Sequence, residues 1–349
     1  SEVALNNFAN NIELLNYQVL STGGNTNSTM NVVNEDMIIV DYESGSSEAI
    51  VSKGYDKFQL KYKDNDETIT SEYLGAGKAI DAVKSNTFNC LIDLSEGNMF
   101  NLFYGSAKEP LIFTSNDMNV QATLLKIANY SDTALNYMKT VTLTLDDENP
   151  KTAIFEAEFE DDLVARYHFD NLLVKVNFGE AETSDKVDTW LENPVFPEKK
   201  TEWAREDKMS INSIFITDDP NSAIPFPSFA SEALNIDDSY TYSAWKIHLT
   251  DTKVSKEDFN QYKEQLISSG FEKVSNNVYE KVLREDYDAY SRIELSYDKY
   301  AVIDAERTYR FPLYHSLNDI NEKLEANGFD ALETNQNISI NYADRKSVV

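Results

Sequence analysis

Short runs that alternate apolar and polar side chains, each closed by a cluster of turn formers, dominate the first half of this chain. Val141–Leu145, Ala153–Phe159, Leu163–Phe169 and Leu173–Phe178 are such runs, and Asp146-Asp147-Glu148-Asn149-Pro150 and Glu160-Asp161-Asp162 separate the first three. A period of two with acidic turns is the mark of an antiparallel sheet with one buried face. Met37-Ile38-Ile39-Val40 and Phe58-Gln59-Leu60-Lys61-Tyr62, with the turn Lys63-Asp64-Asn65-Asp66, predict a strand meander between about Met30 and Thr70. Phe88–Leu94 and Met99–Tyr104 predict a hairpin around Ser95-Glu96-Gly97-Asn98, because Gly and Asn accept positive φ.

Helical periodicity interrupts these runs. Leu5, Phe8, Ile12, Leu15 and Val19 recur at three- and four-residue steps, so Val3–Gln18 is predicted helical until Gly23-Gly24 breaks the pattern. Leu74–Lys84 reads as a short helix or loop. Over Asp117–Met138, Met118, Ala122, Leu125 and Asn129 fall on one stripe, with Leu124, Ile127 and Ala128 beside it. Ser131-Asp132 is placed to cap a second short helix through Tyr137. Gly179–Lys200, with Pro194 and Pro197, reads as a linker, and the boundary between two domains, 1–197 and 198–349, is placed near residue 197.

The second part reads as a smaller α+β domain. Ser210–Ile216, Tyr242–Leu249, Asn277–Leu283 and Ser291–Tyr297 are strand candidates. Ser255–Ser269 is the clearest helix. Ser255 is its cap, Asp258 holds the capping-box place, Phe259, Tyr262, Leu266 and Ile267 form its stripe, and Gly270 stops it. A second helix, Ser316–Asn327, also ends in Gly-Phe. The two endings, Gly270-Phe271 and Gly328-Phe329, are compatible with an internal duplication but read first as two ordinary Schellman stops.

Charge and composition exclude several roles. With 31 basic against 60 acidic residues the net charge is −29, and both parts are acidic, which opposes binding to a phosphate backbone. No apolar run approaches the ~20 residues of a membrane helix. A single cysteine, Cys90, allows no intrachain disulfide, and His168, His248 and His315 lie far apart, so no zinc-ligand spacing exists and no metal or cofactor is expected. Glu156, Glu158 and Glu160 could edge a calcium site but read first as the solvent face of a strand. Asp64-Asn65-Asp66 lacks the rest of an EF-hand loop, and Gly75-Ala76-Gly77-Lys78 lacks the rest of a phosphate loop. Cys90 sits in an apolar run and reads as a core residue. No Gly-x-Ser-x-Gly elbow accompanies His168. A hydrolase would need His168, His248 and carboxylates to converge from distant positions, which no spacing predicts. Asn27, Asn129 and Asn337 open glycosylation sequons, which chance supplies readily in a chain with 34 asparagines.

The order of elements over residues 1–197 resembles the bacterial lipoprotein-carrier group, the LolA/LppX/LprG-like fold. It runs from an N-terminal amphipathic helix through a meander and a helical insertion at about 117–138 to renewed strands, which end in Asn177-Phe178-Gly179 with Pro194 soon after. The second part is similar, more loosely, to small α+β modules of secreted Gram-positive proteins. The resemblance implies a strongly curved antiparallel sheet, a half-barrel, wrapped on helices with an apolar cavity for acyl chains. It implies as cavity residues Leu124, Leu125, Ile127, Tyr130, Tyr137 and Met138, with Phe100, Phe103 and Phe113 on facing strands. The expectation is therefore α+β, non-enzymatic, a cell-envelope or extracellular protein binding a hydrophobic molecule or lipid, tied to a membrane only through an anchor outside this sequence. The alternative expectation is a surface protein that holds a protein or glycan partner through acidic, Tyr-rich faces.

Overall fold

The alternating runs assemble into two antiparallel sheets. The computed structural model describes residues 2–23, 27–83, 91–128, 130, 132–146, 151–160, 172–237, 245–284, 289–309, 325 and 328. In the first sheet, β1 (Tyr17–Thr22), β2 (Ser28–Asn34), β3 (Met37–Tyr42), β4 (Ser46–Lys53), β5 (Asp56–Lys63) and β6 (Thr70–Ala76) form a meander. On the other side of β1 lie β11 (Leu172–Phe178), β10 (Thr152–Phe159), β9 (Met138–Leu145), β8 (Ile112–Ser115) and the short β7 (Tyr104–Gly105). The eleven strands run β6-β5-β4-β3-β2-β1-β11-β10-β9-β8-β7, and among the described residues β6 and β7 are the two edges and the sheet is not closed. The pairing of β1 with β11, Tyr17 opposite Phe178, joins the two meanders.

One face of this sheet packs on helices: α1 (Glu2–Asn11), α2 (Ala79–Val83), α3 (Leu91–Glu96) and α4 (Met118–Ile127). Asp117 caps α4 by accepting from the Asn119 and Val120 N–H groups at 2.8 and 3.4 Å. Val120, Leu124, Leu125 and Ile127 then face Phe113, Val141, Leu143 and Phe155 in one core. The opposite face of β3–β5 has its own cover. Ile39, Val51, Phe58 and Leu60 are buried beneath α5 (Asp185–Glu192), which contributes Val187 and Trp190, and beneath Phe196. Phe58 is the centre of that cover, with ring centroids 4.9 Å from Trp190 and 5.2 Å from Phe196.

Several segments differ from expectation. The N-terminal helix stops at Asn11, and Asn16, at φ 56°, turns the chain into β1, so the helical spacing of Val19 with Leu15 is accidental and Val19 is a buried strand residue. The hairpin expected over 88–104 is helical where described, in α3 and a 3-10 turn at Met99–Leu102. Leu91 and Leu94, three apart, face the core, and Asn98, at φ 51°, redirects the chain rather than tipping a hairpin. Thus Phe100 and Phe103 are not on strands. Tyr137 lies in a 3-10 turn, Asp132–Tyr137, and Met138 begins β9. The segment expected as linker carries α5. Ser210–Ile216 lies mostly in α6 (Arg205–Phe215), where Ile211, Ile214 and Phe215 recur at helical steps and Ile216, at φ 52°, ends it.

The second sheet has the order β12-β13-β17-β16-β15-β14. Its strands are β12 (Leu234–Asp237), β13 (Lys246–Asp251), β14 (Glu272–Ser275), β15 (Val278–Arg284), β16 (Ala289–Tyr297) and β17 (Ala301–Tyr309). Its apolar face packs on α6, α7 (Pro220–Ala223) and α8 (Lys256–Ser268). The expected signals hold in α8. Ser255 Oγ accepts from the Asp258 N–H at 3.1 Å, Gly270 has φ 87°, and the Phe271 N–H reaches back to the Leu266 carbonyl at 3.0 Å. The expected strand 163–169, Cys90, His168, His315 and the helix 316–327 fall outside the described residues, apart from isolated Glu325. Among the described residues no helix is long and apolar enough to cross a membrane.

Candidate functional site

Two clefts stand out, and their linings have opposite chemistry. The first lies beneath α1, at the end of β9–β11. Phe8, Ile12, Leu111, Leu145 and Phe178 give it apolar walls. Asn7, Asn11, Glu13, Asp146, Lys151 and Thr152 form a polar margin around a volume of about 470 Å³. The amphipathic spacing of α1 explains this placement. Leu5 is buried in the core, while Phe8 lies half out of it and packs edge-on against Phe100 and Phe178 at 5.6 and 6.0 Å. Ile12 follows just past the helix end.

The nine residues expected to line a cavity all lie in the core that α1 covers. Phe100, Phe103, Phe113, Leu124, Leu125, Ile127 and Met138 are buried, and Tyr130 and Tyr137 are half-buried against them. None of the nine lines either cleft. Two of them connect to the first cleft through a chain of rings. Phe8 touches Phe100, Phe100 stacks on Phe103 at 6.5 Å, and Phe103 meets Phe155 at 6.3 Å. Tyr130 stacks on Phe159 at 5.8 Å. The cleft residues Leu111, Leu145 and Phe178 carry no motif. Only the termination of three expected strands near one end could have pointed to them.

The second cleft, about 460 Å³, opens where the edge strand β6 meets β12 and β13. Lys57, Leu74, Ala76 and Asp81 come from the first sheet and α2, and Asn235, Asp237, Lys246, His248, Thr250 and Asp304 from the second. Register builds this group. Asp237 pairs with His248 and His248 with Asp304, so three adjacent strands present one row on one face. His248 Nδ1 lies 2.8 Å from Asp304 Oδ1, and Lys246 Nζ lies 3.4 Å from the same oxygen. Burial alone would raise the Asp304 carboxyl. The hydrogen bond from His248, its charge when the ring is protonated, and the ammonium of Lys246 outweigh it and hold the group below the ordinary carboxylate range. Burial lowers the Lys57 ammonium, against the opposing pull of Asp81 and Asp237.

Two close contacts hold the walls together. The Ala76 N–H donates to Thr250 Oγ1 at 3.3 Å, and Gly75, at φ 87°, lies so close to Asn235 that an added Cβ would come within 2.6 Å of its amide. Beside them Thr252 donates to Asp56 and Tyr73 OH donates to Asp56 at 3.2 Å. His248 was the one histidine with an expected chance of meeting carboxylates that the described residues include. Its partner lies 56 residues away, and only the strand register reveals it. Among the described residues no cluster of His, Cys, Asp or Glu could hold a metal ion. Glu156, Glu158 and Glu160 are exposed, and Glu158 pairs with Lys139 at 3.5 Å.

No family model and no curated protein matches this chain. Among solved structures, the DNA polymerase III β subunit of Borrelia burgdorferi, in complex with a natural product, aligns over 93% of this chain and 71% of its own. The identity is 10% and the TM-score 0.10, a likeness too small to carry an argument about fold or function.

Proposed function

We propose that this protein binds an apolar molecule non-covalently in the cleft beneath α1. The observation that carries the reading is the cleft itself. Five large apolar side chains, from α1 and the residue just past it, the loop before β8 and the ends of β9 and β11, line a volume of about 470 Å³ that the Phe8–Phe178 contact does not fill. That volume falls in the range of small-molecule sites, and a mostly apolar lining with a few polar groups is their usual composition. In this reading the eleven-stranded sheet curves as a half-barrel around α1–α4, residues 1–197 and 198–349 are separate domains, and the protein works in the cell envelope or outside the cell. The ring chain from Phe8 through Phe100 and Phe103 supports an extension of the site toward the nine core residues when a long chain enters. The polar margin suits an amphiphile whose head stays at the mouth.

The full-length protein titrated with cis-parinaric acid, a fluorescent polyene fatty acid, tests the reading. Saturable enhancement is expected. Ile12→Asp and Leu111→Asp, which place a charge in the lining, should each weaken it at least tenfold, while Val195→Asp, on an exposed residue outside the cleft, should not. No saturable uptake, or uptake indifferent to both cleft variants, would remove the proposal. It would shift weight to the second reading, in which an acidic face holds a protein or glycan partner.

A further inference from the structure

The cleft between the sheets is independent of the apolar one, and its groups are unequally partnered. Asp304 is occupied by His248 and Lys246. Asp81 Oδ2 accepts from the Lys78 N–H at 2.9 Å. Thr250 Oγ1 accepts from the Ala76 N–H. Lys57 is different. It is half-buried, it lines the cleft, and among the described residues no carboxylate lies within ion-pairing distance of its ammonium, although Asp81 and Asp237 lie near enough to be felt. A half-buried cation without a partner is costly to keep.

The histidine is held in one tautomer. An ionised carboxylate only accepts, so His248 Nδ1 must carry the proton that it shares with Asp304. In the neutral ring Nε2 is then an acceptor without a hydrogen bond among the described residues. The cleft therefore offers a bare ammonium at one wall and a hydrogen-bond acceptor at another, with the Asn235 side chain between the sheets.

We infer that this cleft is a binding site for a small hydroxycarboxylate, whose carboxylate pairs with Lys57 and whose hydroxyl donates to His248 Nε2. The three acids that line the cleft disfavour a multiply charged anion, and about 460 Å³ admits a molecule the size of a sugar acid. Pairing with Lys57 would repay the desolvation of its ammonium, and Lys246 would add attraction at longer range.

Isothermal titration of the full-length protein with gluconate tests the inference, with glucose and acetate as analogues that each lack one of the two recognised groups. Gluconate is expected to bind at least tenfold more tightly than either. Lys57→Met and His248→Phe should each lose at least tenfold, while Lys108→Met, an exposed lysine outside the cleft, should lose nothing. Lys57→Met should also melt no lower than the parent, since it removes an unpaired, half-buried charge. A merely structural lysine would show the reverse. If that variant fails to fold, NMR of reductively ¹³C-methylated lysines reads the same site in the parent protein, and gluconate should raise the titration point of Lys57 more than that of any other lysine. Equal affinity for gluconate, glucose and acetate, unchanged binding by Lys57→Met, or an unmoved Lys57 titration would each overturn the inference.

Discussion

The two sheets use the same local pattern differently. In the first, β3 is buried at four consecutive positions, Met37, Ile38, Ile39 and Val40. Ile38 and Val40 enter the core beneath α1–α4, while Met37 and Ile39 enter the second core beneath α5. In the second sheet β17 alternates, with Ala301, Ile303 and Ala305 in the core and Val302, Asp304 and Glu306 on the opposite face. That opposite face carries a ladder of alternating charge. Lys246, Glu306, Arg292 and Glu280 stand opposite one another across four strands, with Arg292 3.0 Å from Glu280 and 3.3 Å from Glu306. A strand covered on both sides reads as an apolar run, and one covered on a single side alternates. The first kind holds its sheet by packing, and the second leaves a polar face free for electrostatics and for the cleft at its edge.

This contrast can be broken in order of expected effect. Phe58→Ala removes the ring at the centre of the second cover and should cost about 3–5 kcal/mol in denaturant unfolding. A loss below about 1 kcal/mol would show that α5 is not a real cover. Gly75→Ala forces a Cβ against Asn235 at a backbone angle that L residues avoid, and should destabilise by about 1–3 kcal/mol while opening the seam between β6 and β12. Faster hydrogen exchange confined to those strands would confirm the place of the damage. Asp304→Asn tests the polar face through pH. The folded-state carboxyl titrates below its unfolded value of about 4, so its contribution is present above that value and lost as pH falls through the lower one. The stability gap between parent and variant should therefore persist from neutral pH down to about pH 4 and close below it. A gap that vanished by pH 6 would contradict the assignment. Glu306→Gln should cost the least, about 1 kcal/mol or less, because Glu306 is partly exposed and Arg292 keeps Glu280, and the cost should shrink with salt.

Much of the fold was legible in the residues. Alternation located β9, β10 and most of β11, and the run at 37–40 located β3. The cap and stop of α8 marked that helix almost to the residue. Errors arose where a short apolar segment fits both periods. Ser210–Ile216 alternates loosely as a strand, yet only a longer window that includes Arg205–Met209 shows the helix. Leu91–Leu94 followed by Gly97-Asn98 reads as one arm of a hairpin, and tertiary packing makes it a helix instead. The site was less legible. Apolarity and helical spacing identify core residues well, as Leu124 and Leu125 show, but a cleft depends on which core positions are left without a neighbour. Phe8 and Leu145 are only partly buried, and Phe178, though buried, borders the same opening, because all three lie at the end of the sheet on which α1 rests. His248 and Asp304, likewise, meet through register across β13 and β17, which no local pattern encodes.

Native mass spectrometry of the purified full-length protein, beside its denatured mass, tests the central claim most directly. The claim predicts an excess mass that falls away on denaturation, matches an apolar or amphiphilic molecule, and is lost from Ile12→Asp. A bare native mass that stays bare after incubation with a long-chain fatty acid would contradict it.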